Sequence, residues 1–322
     1  MMTPRSFVLA AMVFIVSGSI SRAQTATFKF SPPLDKVRVE RETRNITTEY
    51  PGKNSPTQLD EESSITEVRA SKRGDEFLWV EQHKKISRMI DGKPFDNPMN
   101  KVLMAVAITN LISKDGRMVR SLGNERIVQE ARKIFPPEAY PDMESQLNVR
   151  LLDEMAMSRW NDTYGSIIGR TVKQGDVWRP RTEGDEGANS SIIHFKTSFP
   201  SVVSTPSNTV VTVLMFGCND LKALDHGLDE AQDLDSEAVK SFLDKGTAGA
   251  HGVRICLKRV LDANTMAMIS EEEIQKEVNQ SPQGRQTVFE RTQRNYSYVE
   301  PRSVTTKPDP ETRIPKTSKT IL

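Results

Sequence analysis

The pair Asp115-Gly116, closing the apolar stretch "VLMAVAITNLISKDG" that begins at residue 102, constrains the fold more than any other feature of the chain. Asp-Gly beside an apolar run is the strongest short-range hairpin signal, because it suits a two-residue turn with positive φ at both positions. The run is too short for a membrane helix, which needs about 20 apolar residues. A two-residue turn sets Lys114 opposite Arg117, Ser113 opposite Met118 and Ile112 opposite Val119. Period two then gathers Met104, Val106, Ile108, Ile112 and Val119 on one aliphatic face, with small residues such as Ala105, Ala107 and Ser113 behind it. These five are the candidate lining of an apolar cavity. A helix competes over the same residues, since Ala, Leu and Met favour it.

Other segments point to a sheet. In "DKVRVERETRN" Lys36, Arg38, Glu40, Glu42 and Arg44 alternate with Val37, Val39, Arg41 and Thr43, which reads as a strand with one wholly charged, solvated face. "DEFLWVEQHKKISRMI" and "RQTVFERTQRNYSYVE" read as long strands of mixed polarity, "SSITEVRASK" as a weaker one, and "GDVWRP" as a turn leading into a strand at Val177. Arg294, Tyr296 and Tyr298 share one strand face. Three helices are expected. Asp142 caps one running to Trp160, with Met143, Leu147, Leu151 and Met155 on one face. A second lies in the acidic segment 222 to 249, with Leu224, Leu228, Ala231, Ala238 and Phe242 at helical spacing and Gly246 as C-cap. Ser270 and Glu273 form a capping box for a short third, whose first turn would explain the acidic triplet 271 to 273.

The fold class that follows is α+β: one or two curved antiparallel sheets with helices packed on one face and a helical insertion at 222–249. Residues 24–299 make a single domain, with strand-rich halves 24–135 and 170–299 joined by the helix 142–160. At the N-terminus, Arg5, an apolar core from Phe7 to Val16 and the small-x-small pattern at Ser21 and Ala23 predict a signal peptide over 1–23, with a mature chain from Gln24. Residues 300–322, rich in proline and charge, predict a flexible tail. The chain is expected to be exported, periplasmic or extracellular, with no transmembrane segment after cleavage.

Forty-four Lys and Arg against 43 Asp and Glu leave a formal charge of +1, which offers no field for nucleic acid or an anionic membrane. The two cysteines, Cys218 and Cys256, could close a loop of about 38 residues by a disulfide worth roughly 4 kcal/mol, or sit as two buried thiols. His83, His194, His226 and His251 lie on separate segments without metal-ligand spacing, so no metal site is expected. No GxSxG, SxxK, HExxH or phosphate-binding glycine loop occurs, and no catalytic or cofactor-binding residue is assigned.

The exported chain with early charged strands, the hairpin "ISKDGRMVRSLG", a central helix and then "VKQGDVW" with further strands resembles the uncharacterised secreted bacterial β-rich proteins grouped as domains of unknown function. The resemblance covers most of 26 to 299, implies no catalytic residues, and makes the acidic segment an insertion. Three functions stay open. The leading one is a non-enzymatic envelope protein with a structural or partner-binding role. The second is a carrier for a lipid or other hydrophobic small molecule. The third is an enzyme built from dispersed polar residues.

Overall fold

The computed structural model describes residues 24–50, 57–141, 147–178, 193–219, 221–224, 228–244, 251–281 and 284–301. The expected signal peptide, Asp142 and Met143, His226, Gly246 and nearly all of the expected tail lie outside them.

The strands are β1 (Thr25–Thr27), β2 (Val37–Glu49), β3 (Thr57–Arg73), β4 (Glu76–Ile90), β5 (Lys93–Pro94), β6 (Ala107–Ser113) and β7 (Met118–Leu122), then β8 (Thr171–Lys173), β9 (Val177–Trp178), β10 (His194–Ser204), β11 (Thr209–Cys218), β12 (His251–Asp262), β13 (Ala267–Ser281) and β14 (Gly284–Val299). Twelve of them form one antiparallel sheet in the order β7-β6-β4-β3-β2-β14-β13-β12-β11-β10-β9, with β5 on β4. This large curved sheet does not close on itself. β1 and β8 make a separate two-stranded ribbon. The strands that precede the central helix meet those that follow it where β2 pairs with β14, from Val37 opposite Val299 to Glu49 opposite Thr287.

Four helices occur among the described residues: α1 (Pro98–Ala105), α2 (Asn124–Ile134), α3 (Val149–Trp160) and α4 (Glu237–Asp244). α1 begins on Asn97, whose side chain accepts from the Met99 amide at 3.0 Å, with Pro98 in the first turn where its missing N–H costs nothing. Met104 therefore lies on a helix, and the strand after it starts only at Ala107. α3 starts later than the sequence suggested. Asn148 caps it, accepting from the Leu151 amide at 2.8 Å, and a wide π-turn at Asn161–Gly165 follows it.

The Asp115-Gly116 hairpin is present with a different turn. Lys114, Asp115 and Gly116 form a three-residue loop closed by Ser113 and Arg117, and Asp115 turns its carboxylate back onto the Ser113 hydroxyl. Only Gly116 is left-handed, with φ +84°. The extra residue moves the register, so Ile112 faces Met118 across a bulge and is buried, while Val119 turns outward at 46% exposure.

Two cores sit on opposite faces of the sheet. Against the inner face, Trp160 and Tyr164 pack with Trp79 at centroid distances of 5.4 and 6.1 Å, joined by Phe28, Phe199, Val211 and Val213. The Trp160 indole donates to the Gly116 carbonyl at 2.9 Å, pinning α3 to the hairpin. Against the outer face, Leu214, Phe216, Cys218, Cys256 and Ile274 meet Leu224, Leu228, Leu234, Val239 and Phe242. Among its described residues the acidic segment holds two short 3-10 turns and α4, and its apolar residues cover the second face of the sheet.

Residues 270–279 are strand, not helix. Glu271 and Glu273 face inward and Ile274 outward, so period two prevails over the capping-box pattern. The two cysteines lie diagonally on β11 and β12, with Cys218 opposite Arg254 and Cys256 opposite Phe216, and both are buried with no disulfide joining them. Burial pushes the Cys256 thiol up to about 12.

Candidate functional site

A cleft of about 940 Å³ lies between the inner face of the sheet and the elements α1, α2, α3 and the π-turn. The topology sorts its lining. At one end stand Met99 and Leu103 from α1, Ile108 from β6, Ile127 from α2 and Leu152 from α3. At the other stand Trp178, Phe195, Met215, Ile255 and Leu257 from β9 to β12. Between them the strands β4, β2, β14, β13 and β12 contribute a band of charge.

That band is the alternating face of "DKVRVERETRN" and its neighbours, and it is not solvated as the isolated strand suggested. Arg38 and Glu40 are each only 7% exposed. The reason is register. Glu42, Arg294, Glu271 and Arg259 stand directly opposite one another on β2, β14, β13 and β12, giving an alternating row across four strands. Arg294 pairs with both Glu42 and Glu271, and Arg259 Nε donates to Glu271 Oε2 at 2.6 Å. Arg259 also donates to the Asp162 carbonyl at 2.7 Å, which holds the π-turn over the sheet. Each buried charge has an opposite partner, the condition under which burial is tolerable.

A second group surrounds Arg38. Its guanidinium lies 4.8 Å from the Trp79 ring centroid and 5.2 Å from that of Tyr296, and donates to the Tyr164 hydroxyl at 2.7 Å. Glu40 approaches it at 3.6 Å. The Arg38 Nε is buried without a hydrogen-bond partner among the described residues.

The electrostatic consequences differ along the band. Burial pushes the Glu271 carboxyl up, but Arg259 and Arg294 outweigh it and hold it at about 2. Glu40 goes the other way: burial raises it, and Arg38, Arg159 and Arg294 only partly compensate. Glu273 is also raised by burial. Burial lowers His83, with the charge of Arg159 adding to the effect. Burial pushes the Tyr298 phenol up to about 12.

Arg159, in the last turn of α3, is the exception. Its side chain is exposed yet lines the cleft, so the space it reaches is the cleft itself. The charge of Glu81 and then of Glu40 acts on it, but no carboxylate among the described residues comes within 4.0 Å. Glu81 accepts from the Trp79 indole at 2.9 Å.

Of the five residues expected to line an apolar cavity, Ile108 stands in the wall of this cleft and the others are placed elsewhere. Met104 is on α1, Val106 is buried between α1 and α2, Ile112 belongs to the inner core, and Val119 faces outward. The expectation that Arg294, Tyr296 and Tyr298 share a face holds, and Arg294 and Tyr296 line the cleft. His83 and His194 are far apart in strand order, on β4 and β10, and no metal-binding group of His, Cys, Asp or Glu occurs among the described residues. Among those residues no helix is long and apolar enough to cross a membrane.

No protein-family model matches the chain, and no curated protein matches it. Among solved structures, lipovitellin in a study of its lipid–protein interactions aligns at 10% identity and TM-score 0.46, over 87% of this chain and 27% of that one. The chain thus spans about a quarter of the lipovitellin chain. An exported protein of YmcC-like fold from Bacteroides fragilis aligns at 9% identity and TM-score 0.20, over 81% of this chain and 96% of that one. A LolA superfamily protein from Nitrosomonas europaea aligns at 8% identity and TM-score 0.15, over 83% and 86%. At these scores the likenesses carry no functional argument, and none assigns the chain to a family.

Proposed function

We propose that this protein is an exported, non-enzymatic binding protein that takes a largely hydrophobic small molecule into the cleft between the sheet and α3. The observation that carries this reading is the cleft of about 940 Å³ with an apolar wall at each end. Its volume lies near the top of the range typical for small-molecule sites, and sites of this kind are apolar with a few placed polar groups. A purely structural role leaves such a void unexplained, because close-packed interiors hold few spaces larger than a water.

The test uses the tryptophans. Trp160 and Trp178 line the cleft, so a brominated fatty acid bound there quenches them by contact. Saturable quenching at equimolar ligand is expected, together with an extractable added mass when the protein is taken from its own envelope fraction. Replacing Ile255 with Trp fills one apolar end and should weaken binding several-fold. A bare mass and no saturable quenching would return the weight to partner binding.

A further inference from the structure

We propose that the ligand of this cleft is an amphiphile with one acidic head, a carboxylate or a phosphate monoester, and that Arg159 receives it. The inference rests on the binding reading above and adds the chemistry of the head.

Every other cleft arginine is committed. Arg38 is taken by Tyr164 and Glu40, Arg259 by Glu271 and the Asp162 carbonyl, and Arg294 by Glu42 and Glu271. Arg170 lies over the Trp178 ring at 4.7 Å. Arg159 has no side-chain hydrogen bond, ion pair or ring contact among the described residues, and it lines the cleft with five N–H donors to offer. A guanidinium stays charged at all ordinary pH values and matches the two oxygens of a carboxylate or phosphate. The carboxylates whose charge acts on it, Glu81 and then Glu40, stay beyond ion-pair distance, with Glu81 accepting from the Trp79 indole and Glu40 paired with Arg38. The unpartnered Nε of Arg38 marks a second unsatisfied donor in the same band.

The helix also supplies a place for the tail. Leu152, Met155, Ala156 and Arg159 recur at helical spacing on α3 and all line the cleft. From Arg159 back to Leu152 is about 10 Å along the axis. A tail laid along that face runs from the head toward Leu103 and Ile127, the apolar end formed by α1 and α2.

The experiment measures affinities of palmitate, hexadecyl phosphate and hexadecanol for the protein and for Arg159→Gln and Arg159→Lys. The three probes share a tail and differ in the head. At least one acid should bind about tenfold or more tightly than the alcohol, as expected for one charge-assisted contact. Preference for palmitate alone marks a carboxylate head, and preference for the phosphate alone a phosphate head. Arg159→Gln should bring the acids down to the alcohol's affinity while leaving alcohol binding in place, and Arg159→Lys should restore part of the preference. Alcohol and acids binding equally to the unaltered protein overturn the inference and leave the binding reading standing, as does a preference that survives Arg159→Gln. If none of the three binds, both fall. The acid-to-alcohol ratio of the unaltered protein needs no variant, so a folding defect in Arg159→Gln does not block the test.

Discussion

At the level of single residues, the molecule is defined by charges that a lone strand makes look solvent-facing. Glu271 is the centre of the row, held by two guanidiniums. Because its carboxyl is depressed from 4.5 to about 2, its contribution is present above the unfolded value and disappears as pH falls through that window. Glu40 and Glu273, which burial raises, act in the opposite sense, so the comparison must be with a variant and not with pH alone. Glu271→Gln should cost about 3 kcal/mol at pH 7, since it leaves Arg259 and Arg294 short of a partner. Urea denaturation curves of the two proteins should converge as pH falls toward 2. A gap that stays constant would mean that the ion pairs contribute nothing. The cysteines give a second residue-scale expectation. Both buried, and Cys256 pushed up in pKa as well, they should resist iodoacetamide in the native protein and react fully in denaturant. Rapid native alkylation would contradict their placement. The types and alternation of the charged residues were legible in "DKVRVERETRN". Their burial was not, because it depends on which strands lie alongside, and β14 is more than 200 residues away in the chain.

Elements show where local signals suffice and where they lose. Asp115-Gly116 specifies a hairpin, and the hairpin forms, but the Ser113 hydroxyl captures the Asp115 carboxylate and selects a three-residue loop. That single residue shifts the register and turns Val119 outward. Gly116 is fixed twice over. Its φ is +84°, and a Cβ there would lie 2.8 Å from Phe30 Cβ and 2.7 Å from Ile168 Cδ1. Gly116→Ala should therefore destabilise by about 2–4 kcal/mol, combining backbone strain with overpacking. A thermal melt unchanged from the parent would refute that packing. α3 begins at Asn148, so Asn148→Ala should cost about 1 kcal/mol, and the lost stability should appear as fraying near Leu152 in hydrogen exchange. The helices α1 and α2 carried signals that the sequence reading passed over. Asn97-Pro98 is a start signal, and Ile127 and Ala131 repeat at four-residue spacing. The reverse happened at Ser270 and Glu273, where a valid capping pattern yields to a strand whose register sets Arg259 and Arg294 on either side of Glu271.

On the scale of the whole molecule, the cleft could not be read from sequence because it belongs to no single segment. One aliphatic face was expected to line it. Instead its wall is assembled from the ends of a long sheet, with Ile108 on β6 and Phe195 on β10 separated by the charged band. That arrangement needs the sheet to be continuous, and the continuity rests on β2 and β14. These strands pair along the whole of β2, and ion pairs cross between them, Arg294 with Glu42 and, at 3.7 Å, with Glu40, and Arg44 with Glu290 at 2.6 Å. The outer core touches β11 to β13, and the inner core reaches from β7 and β6 at one end of the sheet to β10 at the other. If the two cores are coupled through this shared sheet, they unfold together. Trp79 and Trp160 report the inner core alone, whereas far-UV circular dichroism reports the whole sheet. The two probes should therefore give one coincident urea transition. Phe242→Ala, which empties part of the outer core while all three tryptophans sit in or against the inner one, should lower the tryptophan midpoint as much as the dichroism midpoint, for a loss of about 3–5 kcal/mol. Two separated transitions, or a Phe242→Ala effect seen by dichroism only, would show that the sheet does not transmit between its faces and that the cleft keeps its shape independently of the acidic segment behind it.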